Sequence, residues 1–432
     1  MSKRARSAVV FLLGALPLST ASAHTPAPAN SVVTWNRLAL DTARSVPLID
    51  AQAARLYAMV NVAMYDAVNG IDVARHVGAR GSALVAPDGA PPLGNRFAAA
   101  SAAAHGVLKG QHPARAAVYD AQLKADLTAL GAGALTRAGQ QWGEHVAAQV
   151  LARRADDGSS PSETQPPGSG PGQFPSPWSN VQFRNLKPFA IADSGRYLSP
   201  GPPPLEGVAY AGAFAEVKVL GSAANVDAEL DEIFRFWVGG PGTAQPPGEW
   251  IKVALALAEQ QGVSASLSDT ARLFTLLAMA ESDVVAPTFA TKFNFHSWRP
   301  GTAIQHADMD GNPLTDVDPV WTPRAGGFGS TPEHTSGHSS FAGAAVTVLR
   351  GFFCEDRLRF TLDSDSLPGH PRTYSSLSAV EAEAGRSRIY GGIHFEFSNQ
   401  GGLATGRGVA REILARRLLL LRGPTHFGEC PR

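Results

Sequence analysis

The spacing of apolar residues constrains this fold more than any other sequence feature. In residues 49–70, apolar positions such as Leu56, Met59 and Ala63 recur at steps of three and four. Such spacing places them on one side of an α-helix and predicts an amphipathic or largely buried helix. Gly70 is predicted to end it, because glycine is frequent just past helix C-termini.

Similar helical patterns recur along the chain. They cover residues 95–109, 113–130, 134–154, 226–239, 246–261, 267–285, 337–353, 376–386 and 396–421. Alternating strand patterns are few, and no internal repeat of fixed period is visible. Since 44% of the residues are apolar, the chain can bury a substantial core. The predicted fold class is therefore all-α, with helical bundles packed together.

One long segment interrupts the helical patterns. Residues 156–204 are dominated by glycine, proline and serine, which predicts a loop that is either functional or mobile. We expect residues 24–432 to form a single large domain, with the catalytic helical core at about 226–422.

The N-terminus has the pattern of a secretory signal. Basic residues precede an uncharged apolar run at 8–18, and small residues at 21–23 suit a signal peptidase. The apolar run is too short for a membrane anchor, which needs about 20 residues. Residues 1–23 are therefore predicted to be a signal peptide, and the protein to be secreted or periplasmic.

Cysteine content and charge exclude several classes. Two cysteines, Cys354 and Cys430, are too few for a disulfide-rich scaffold or a cysteine-based zinc cluster. They either pair in an oxidising compartment or stay as thiols. The 37 basic residues balance the 37 acidic ones, so the charge gives no support to a nucleic-acid-binding function.

Residues capable of chemistry concentrate in the last third, which holds seven of the 12 histidines. They form three clusters, at 292–300 (KFNFHSWRP), 331–338 (TPEHTSGH) and 387–394 (SRIYGGIH). Each cluster alone is more often a solvated face, a helix cap or a structural histidine. The three together at these spacings indicate a functional site.

The cations in these clusters point to an oxyanion. Lys292 and Arg299 are seven residues apart, so two helical turns would bring both to one face, and Arg388 adds a third positive charge. Three buried cations are costly unless an anion lies among them. Ser336 and Gly337 precede an apolar helical run, and backbone N–H groups at a helix N-terminus also bind anions. The predicted ligand is phosphate or vanadate.

Two histidines complete the predicted site. A neutral imidazole at His394 can attack phosphorus or coordinate a metal oxyanion through one ring nitrogen. His338 can give or take a proton on the opposite side.

The order Lys-x6-Arg-Pro, Ser-Gly-His and Ser-Arg-x5-His resembles the signature shared by vanadium-dependent haloperoxidases and the type 2 phosphatidic acid phosphatase / bacterial acid phosphatase superfamily. Residues 295–304 (FHSWRPGTAI), 310–312, 318–323 and the helix at 54–69 resemble soluble bacterial haloperoxidase-like proteins in particular. The resemblance covers roughly residues 35–422 and implies the helical-bundle fold of that group.

The resemblance also implies a role for each site residue. Lys292, Arg299 and Arg388 would bind the equatorial oxygens of vanadate. Ser336 and the Gly337 amide would add hydrogen bonds.

The two histidines and the reactants follow from the same resemblance. His394 would be the axial ligand of vanadium, and His338 the acid–base group. Hydrogen peroxide, a halide and a small organic acceptor would be the partners, and the product hypohalous acid. A homodimer is implied as well.

The chain departs from the family beside the second cluster. Thr335 stands where proline is usual, and residues 330–334 (STPEH) replace a stretch that is usually aromatic and proline-rich in chloroperoxidases. These positions shape the halide site, so halide preference stays open. Glu333 is expected to oppose anion entry.

Other polar residues in this region are interpreted as structural. A divalent-metal pair of His334 and His338 is disfavoured, because Gly337 and the helix start break the geometry. His296 is expected to have a structural role. Asp308 and Asp310 are expected to form a turn, because the glutamate of a calcium loop is missing.

Three functions remain open on the sequence. The first is a vanadate-dependent haloperoxidase. The second is an exported acid phosphatase with His394 as nucleophile, since phosphate can occupy the same pocket. The third is a non-catalytic oxyanion-binding helical protein. No nucleic acid and no integral membrane contact are expected in any of them.

Overall fold

A computed structural model describes residues 29–78, 80–419 and 421. Its helices are α1 (Ser31–Ser45), α2 (Asp50–Ala74), α3 (Arg96–Gln111), α4 (Ala116–Leu130), α5 (Ala134–Arg153), α6 (Val208–Leu220), α7 (Ala228–Phe236), α8 (Gln245–Gln260), α9 (Leu267–Asp283), α10 (Val285–Phe295), α11 (Pro300–Gln305), α12 (Gly337–Phe353), α13 (Leu377–Tyr390) and α14 (Glu396–Arg416). The predicted all-α class is confirmed.

The four strands of the described residues are short and form two separate hairpins. They are β1 (Thr164–Gln165), β2 (Trp178–Ser179), β3 (Phe360–Leu362) and β4 (Arg372–Tyr374). Both pairs are antiparallel, with Thr164 opposite Ser179 and Thr361 opposite Thr373. Side chains of both hairpins, among them Trp178 and Phe360, pack into the hydrophobic core that the helices form.

Helix α2 lies in the middle of the core and is buried on nearly every side. It packs against α3 and α9. The sequence predicted that this helix ends at Gly70, but the helix continues to Ala74. Gly70 instead makes room for the Trp142 ring, since a Cβ there would lie 2.8 Å from the ring. Gly70 therefore allows close packing of the two helices and does not terminate α2.

Helices α9 and α10 together form one long apolar stretch. Residues Leu267–Phe295 are long and apolar enough to cross a membrane, and 94% of the most apolar window is buried inside the fold. Core packing accounts for this composition. The apolar pattern did not predict α10 and α11 as separate helices, because helices of only 11 and 6 residues are too short for a clear periodicity. Helices α1 and α6 were not predicted either.

Helices α12 and α14 cross at small residues. A Cβ at Gly406 would lie 2.1 Å from the Ser340 carbonyl oxygen, and one at Gly343 would lie 2.5 Å from the Leu403 carbonyl oxygen. The two backbones can approach this closely only because both positions are glycine. This contact sets the distance between the start of α12 and the start of α14.

The segment rich in glycine and proline contains no α-helix between Arg153 and Val208, as predicted. It is held to the helices at particular points. The buried carboxylate of Asp283 accepts three backbone hydrogen bonds, from Phe189, Ala190 and Ile191, at 2.6–3.0 Å. Part of this segment therefore has a defined position over the core.

Two predictions concern residues outside the described part of the chain. The predicted signal peptide, residues 1–23, lies there in full. Cys430 lies there as well, so the alternative between a Cys354–Cys430 disulfide and two thiols stays open.

Candidate active site

The three sequence clusters meet at one cavity of about 620 Å³. Its lining includes six of the seven predicted site residues, namely Lys292, Arg299, Gly337, His338, Arg388 and His394. The prediction that distant parts of the C-terminal third converge is therefore confirmed. The chemical role of each residue stays a prediction.

Lys292 and Arg299 reach the cavity from two helices rather than one. Helix α10 ends at Phe295, because His296 takes a left-handed conformation with φ of 45°. Arg299 is the N-cap of α11, whose first residue is Pro300. The prediction that two turns of one helix align the two cations was wrong. The end of α10 and the change of chain direction at His296 bring the two side chains to the same cavity instead.

Backbone carbonyls hold Arg299 in place. Its Nε donates to the Thr331 carbonyl oxygen at 2.7 Å, and its NH1 donates to the Ile393 carbonyl oxygen at 2.6 Å. The same NH1 lies 2.9 Å from His394 Nε2. The planar guanidinium is therefore fixed beside the imidazole of His394, which the sequence predicts to bind the anion through one ring nitrogen.

Arg388 and Lys292 are held less completely. Arg388 donates from NH1 to the Trp237 carbonyl oxygen at 3.1 Å, while its buried Nε has no hydrogen-bond partner among the described residues. Lys292 Nζ donates to the carbonyl oxygens of Pro332 and Glu333, at 2.5 and 3.2 Å. Arg388 thus keeps an unused donor at this site.

Burial and mutual repulsion destabilise the three cations. Burial, and secondarily the charge of Arg299, lowers the pKa of Arg388 to about 9 and holds that of Lys292 well below its usual value. Burial lowers the pKa of Arg299 to about 10. A bound anion would relieve this destabilisation.

Helix α12 begins at the cavity. Gly337 is its first residue and lines the cavity, and Ser336 is the N-cap. The Ser336 hydroxyl accepts a hydrogen bond from the Ser339 hydroxyl at 2.9 Å and is fully buried. Ser336 itself is not part of the lining, so its predicted contact with an anion stays a prediction. The helix N-terminus adds partial positive charge to the cavity.

His338 lies on the first turn of α12. Its Nε2 is 3.2 Å from the Val238 carbonyl oxygen, which can only accept, so Nε2 carries the proton and Nδ1 is the basic nitrogen. Burial, followed by the charge of Arg388, holds the pKa of His338 well below its usual value. His338 is therefore neutral, and Nδ1 is the ring nitrogen that keeps a lone pair.

Glu333 has a different place from the one expected. It is fully buried, is absent from the cavity lining and lies behind His394. Its Oε1 is 2.8 Å from His394 Nδ1 and also accepts from the Phe395 amide at 3.0 Å. The expectation that Glu333 opposes anion entry was wrong. The carboxylate instead orients the imidazole, so that Nδ1 carries the proton and the Nε2 lone pair accepts from Arg299.

Burial also sets the protonation of this pair. Burial raises the pKa of Glu333 to about 7, although Arg299 opposes the shift. Burial, and then the neighbouring cations, holds the pKa of His394 well below its usual value. His394 is therefore neutral, which is the form that can act as a ligand or a nucleophile.

Sequence reasoning missed part of the cavity wall. Asp50, at the start of α2, lines the cavity although it lies 242 residues before Lys292. Trp178 and Asn180, from the segment rich in glycine and proline, line it too. No motif marks these positions. The sequence showed Asp50 only as an acidic residue in the first turn of a helix, and Trp178 only as an aromatic residue in a loop. Neither feature by itself indicates a functional site.

The other histidines of the region have structural surroundings. His334 is buried, with Nε2 2.6 Å from the Pro200 carbonyl oxygen and 3.2 Å from the Ser199 hydroxyl. Burial lowers its pKa to about 4. His296 packs against Phe174 with ring centroids 6.0 Å apart. No group of metal-ligating side chains is present within the described residues.

The donor set fits an oxyanion. Three cations and a helix N-terminus line a cavity that also presents His394, and one of the cations, Arg388, has a buried Nε without a partner among the described residues. Vanadate or phosphate would pair with these donors, and the neutral His394 imidazole has the lone pair that a vanadium ligand requires.

The C-terminal part of the chain is similar to a known protein family. Residues 272–423 match the family model described as the VCPO second helical-bundle domain. None of the curated protein sequences compared matches the chain significantly.

Three solved structures share the fold. A bacterial vanadium-dependent iodoperoxidase superposes with a TM-score of 0.71 at 22% identity, over 91% of this chain and 97% of that chain. The holo form of a bacterial vanadium-dependent chloroperoxidase superposes with a TM-score of 0.63 at 17% identity, over 86% and 94%. The apo-type chloroperoxidase structure gives a TM-score of 0.62 at 17% identity, over 85% and 93%.

Proposed function

Because this chain is vanadium haloperoxidase-like in its fold and in residues 272–423, we propose that it is a vanadate-dependent haloperoxidase. It would oxidise a halide with hydrogen peroxide and halogenate a small organic acceptor. The observation that carries this proposal is the meeting of three buried cations and two neutral histidines at one cavity. When bound, vanadate supplies the activation of hydrogen peroxide toward halide.

Each residue at the cavity has its own role in binding that anion. Lys292, Arg299 and Arg388 neutralise its oxygens, and the amide end of α12 at Gly337 adds a donor. His394 holds the anion through Nε2, while Glu333 keeps the proton on Nδ1.

His338 is the proposed acid–base group of the site. Its neutral ring offers Nδ1 as a base, because Nε2 donates to the Val238 carbonyl. A base there can accept a proton from hydrogen peroxide as it enters. The fixed cations of the cavity stabilise the negative charge that this transfer leaves behind.

A pair of assays tests the proposal. Apo protein is mixed with vanadate, hydrogen peroxide and either bromide or iodide, and halogenation of a phenolic dye is measured. Hydrolysis of p-nitrophenyl phosphate is measured in parallel without vanadate. We expect halogenation that depends on vanadate and is lost in His394→Ala. His306→Ala, at an exposed histidine outside the cavity, is the matched control and should retain activity.

The other outcomes identify the alternatives. Phosphate release without halogenation would make the protein a phosphatase with His394 as nucleophile. Neither activity would leave a non-catalytic oxyanion-binding protein. Either result contradicts the haloperoxidase proposal.

We also propose that the protein is exported, on the strength of the predicted signal peptide at 1–23. N-terminal sequencing of the mature protein from the cell envelope or medium tests this. Processing before His24 is expected, and a retained Met1 in the cytoplasm would contradict it. The homodimer implied by the resemblance stays a prediction.

A further inference from the structure

Asp50 brings a carboxyl group into a cavity otherwise built for an anion. It is the first residue of α2 and lines the same cavity as Lys292 and Gly337. Its Oδ1 accepts the Ala51 amide at 2.7 Å. Its Oδ2 lies 3.6 Å from the point where a side chain on Gly337 would begin. The second carboxylate oxygen therefore lies beside the N-terminus of α12.

This position is unfavourable for a carboxylate once an anion binds. Burial raises the pKa of Asp50, although the Ala51 amide and the charge of Lys292 oppose the shift. An ionised carboxylate beside an oxyanion repels it. A single proton between the two groups converts this repulsion into a hydrogen bond.

The acidity of the ligand then determines whether the ligand or Asp50 must supply that proton. Vanadate and phosphate are weakly acidic oxyanions that carry a hydroxyl near neutral pH, and this hydroxyl can donate to Asp50. Sulfate and perchlorate carry no hydroxyl under these conditions, so Asp50 itself would have to be protonated to receive them. The energetic difference favours the weakly acidic ligands.

We propose that Asp50 is a specificity-determining residue that selects oxyanions able to carry a proton and discriminates against fully deprotonated ones. This inference rests on the proposed function, since it takes the cavity to be the anion site. It adds a residue from the N-terminal half of the chain to a site whose cations and histidines come from the C-terminal half.

Anion binding by calorimetry at one fixed pH tests the inference. The probes are vanadate, inorganic phosphate and perchlorate. Phosphate and perchlorate are compared because both are tetrahedral anions and only phosphate can carry a hydroxyl. We expect the wild-type protein to bind phosphate much more tightly than perchlorate.

The decisive variant is Asp50→Asn. Its amide keeps the oxygen that caps Ala51 and offers an N–H to an unprotonated ligand oxygen. We expect the ratio of phosphate to perchlorate affinity to fall about tenfold, the size expected for one hydrogen bond to a charged group. Asp50→Ser, a good residue for a helix N-terminus, provides the same test should the asparagine variant not fold.

The control is Asp308→Asn, which removes one negative charge at an exposed position outside the cavity lining. It should leave the affinity ratio unchanged. An unchanged ratio in both Asp50 variants, with anions still bound, would overturn this inference and leave the proposed function standing. Failure of the wild-type protein to bind vanadate or phosphate would overturn both.

Discussion

The Nδ1 atom of His394 lies 2.8 Å from Oε1 of Glu333, and both side chains are buried. The two residues are 61 positions apart in the sequence and belong to different clusters. Through this contact, a carboxylate outside the cavity determines which nitrogen of His394 faces the cavity. The same Oε1 accepts the Phe395 amide, so the carboxylate also fixes the backbone next to the histidine.

Removing this carboxylate should weaken vanadate binding. In Glu333→Ala the imidazole loses its orienting partner, and we expect affinity for vanadate to fall about 10- to 100-fold. Glu333→Gln keeps an acceptor oxygen for Nδ1 and should lose less. Equilibrium dialysis measures the affinity, and ¹⁵N NMR of the histidine reports the tautomer. Wild-type affinity in Glu333→Ala would contradict this positioning role.

Vanadate should stabilise the fold through the buried cations. A ligand at 100 times its Kd adds about 2.7 kcal/mol to the free energy of unfolding. We expect this gain as a rise in Tm for the wild-type protein and a much smaller rise for Arg388→Met, which lacks the unused Nε donor. Arg235→Met, at an exposed arginine, should respond as the wild-type protein does. An equal rise in all three proteins would show that Arg388 does not contact the anion.

Glu281 should make stability depend on pH. Neither of its carboxylate oxygens has a hydrogen-bond partner among the described residues, and burial raises its pKa well above the usual value. The unfolded chain therefore releases this proton at lower pH than the folded chain does. The resulting contribution to stability is complete below the unfolded pKa and is lost as pH rises toward the folded pKa.

Glu281→Gln removes this dependence. Its stability relative to the wild-type protein should rise by about 1.4 kcal/mol per pH unit between about pH 5 and 7. Urea denaturation at several pH values measures the difference. Glu259→Gln, at an exposed glutamate, should show no such trend. A flat difference for Glu281→Gln would mean that this side chain is ionised in the folded protein.

The close crossing of α12 and α14 should not tolerate a methyl group. In Gly406→Ala the new Cβ would lie 2.1 Å from the Ser340 carbonyl oxygen, so the helices must move apart. We expect a loss of about 1–3 kcal/mol in the free energy of unfolding, together with weaker vanadate binding. Gly212→Ala, a helix position with nothing within 4 Å of the added Cβ, should instead gain about 1 kcal/mol.

Local patterns were sufficient for much of the helical architecture. Apolar spacing predicted the cores of α2, α9 and α12, because side chains three and four residues apart share one side of any helix. It missed the end of α2, where Gly70 accommodates Trp142 from a distant helix. A local pattern contains no information about which residue packs on the other side.

The same division applies to the site. The sequence by itself predicted that Lys292, Arg299, Arg388 and two histidines serve one anion, because three cations are costly to bury unpaired. Only the tertiary structure decided that Glu333 lies behind His394 and that Asp50 lines the same cavity. Both carboxylates owe their effect to neighbours far away in the chain, and Coulomb and hydrogen-bond energies depend on distance in space rather than on separation in sequence.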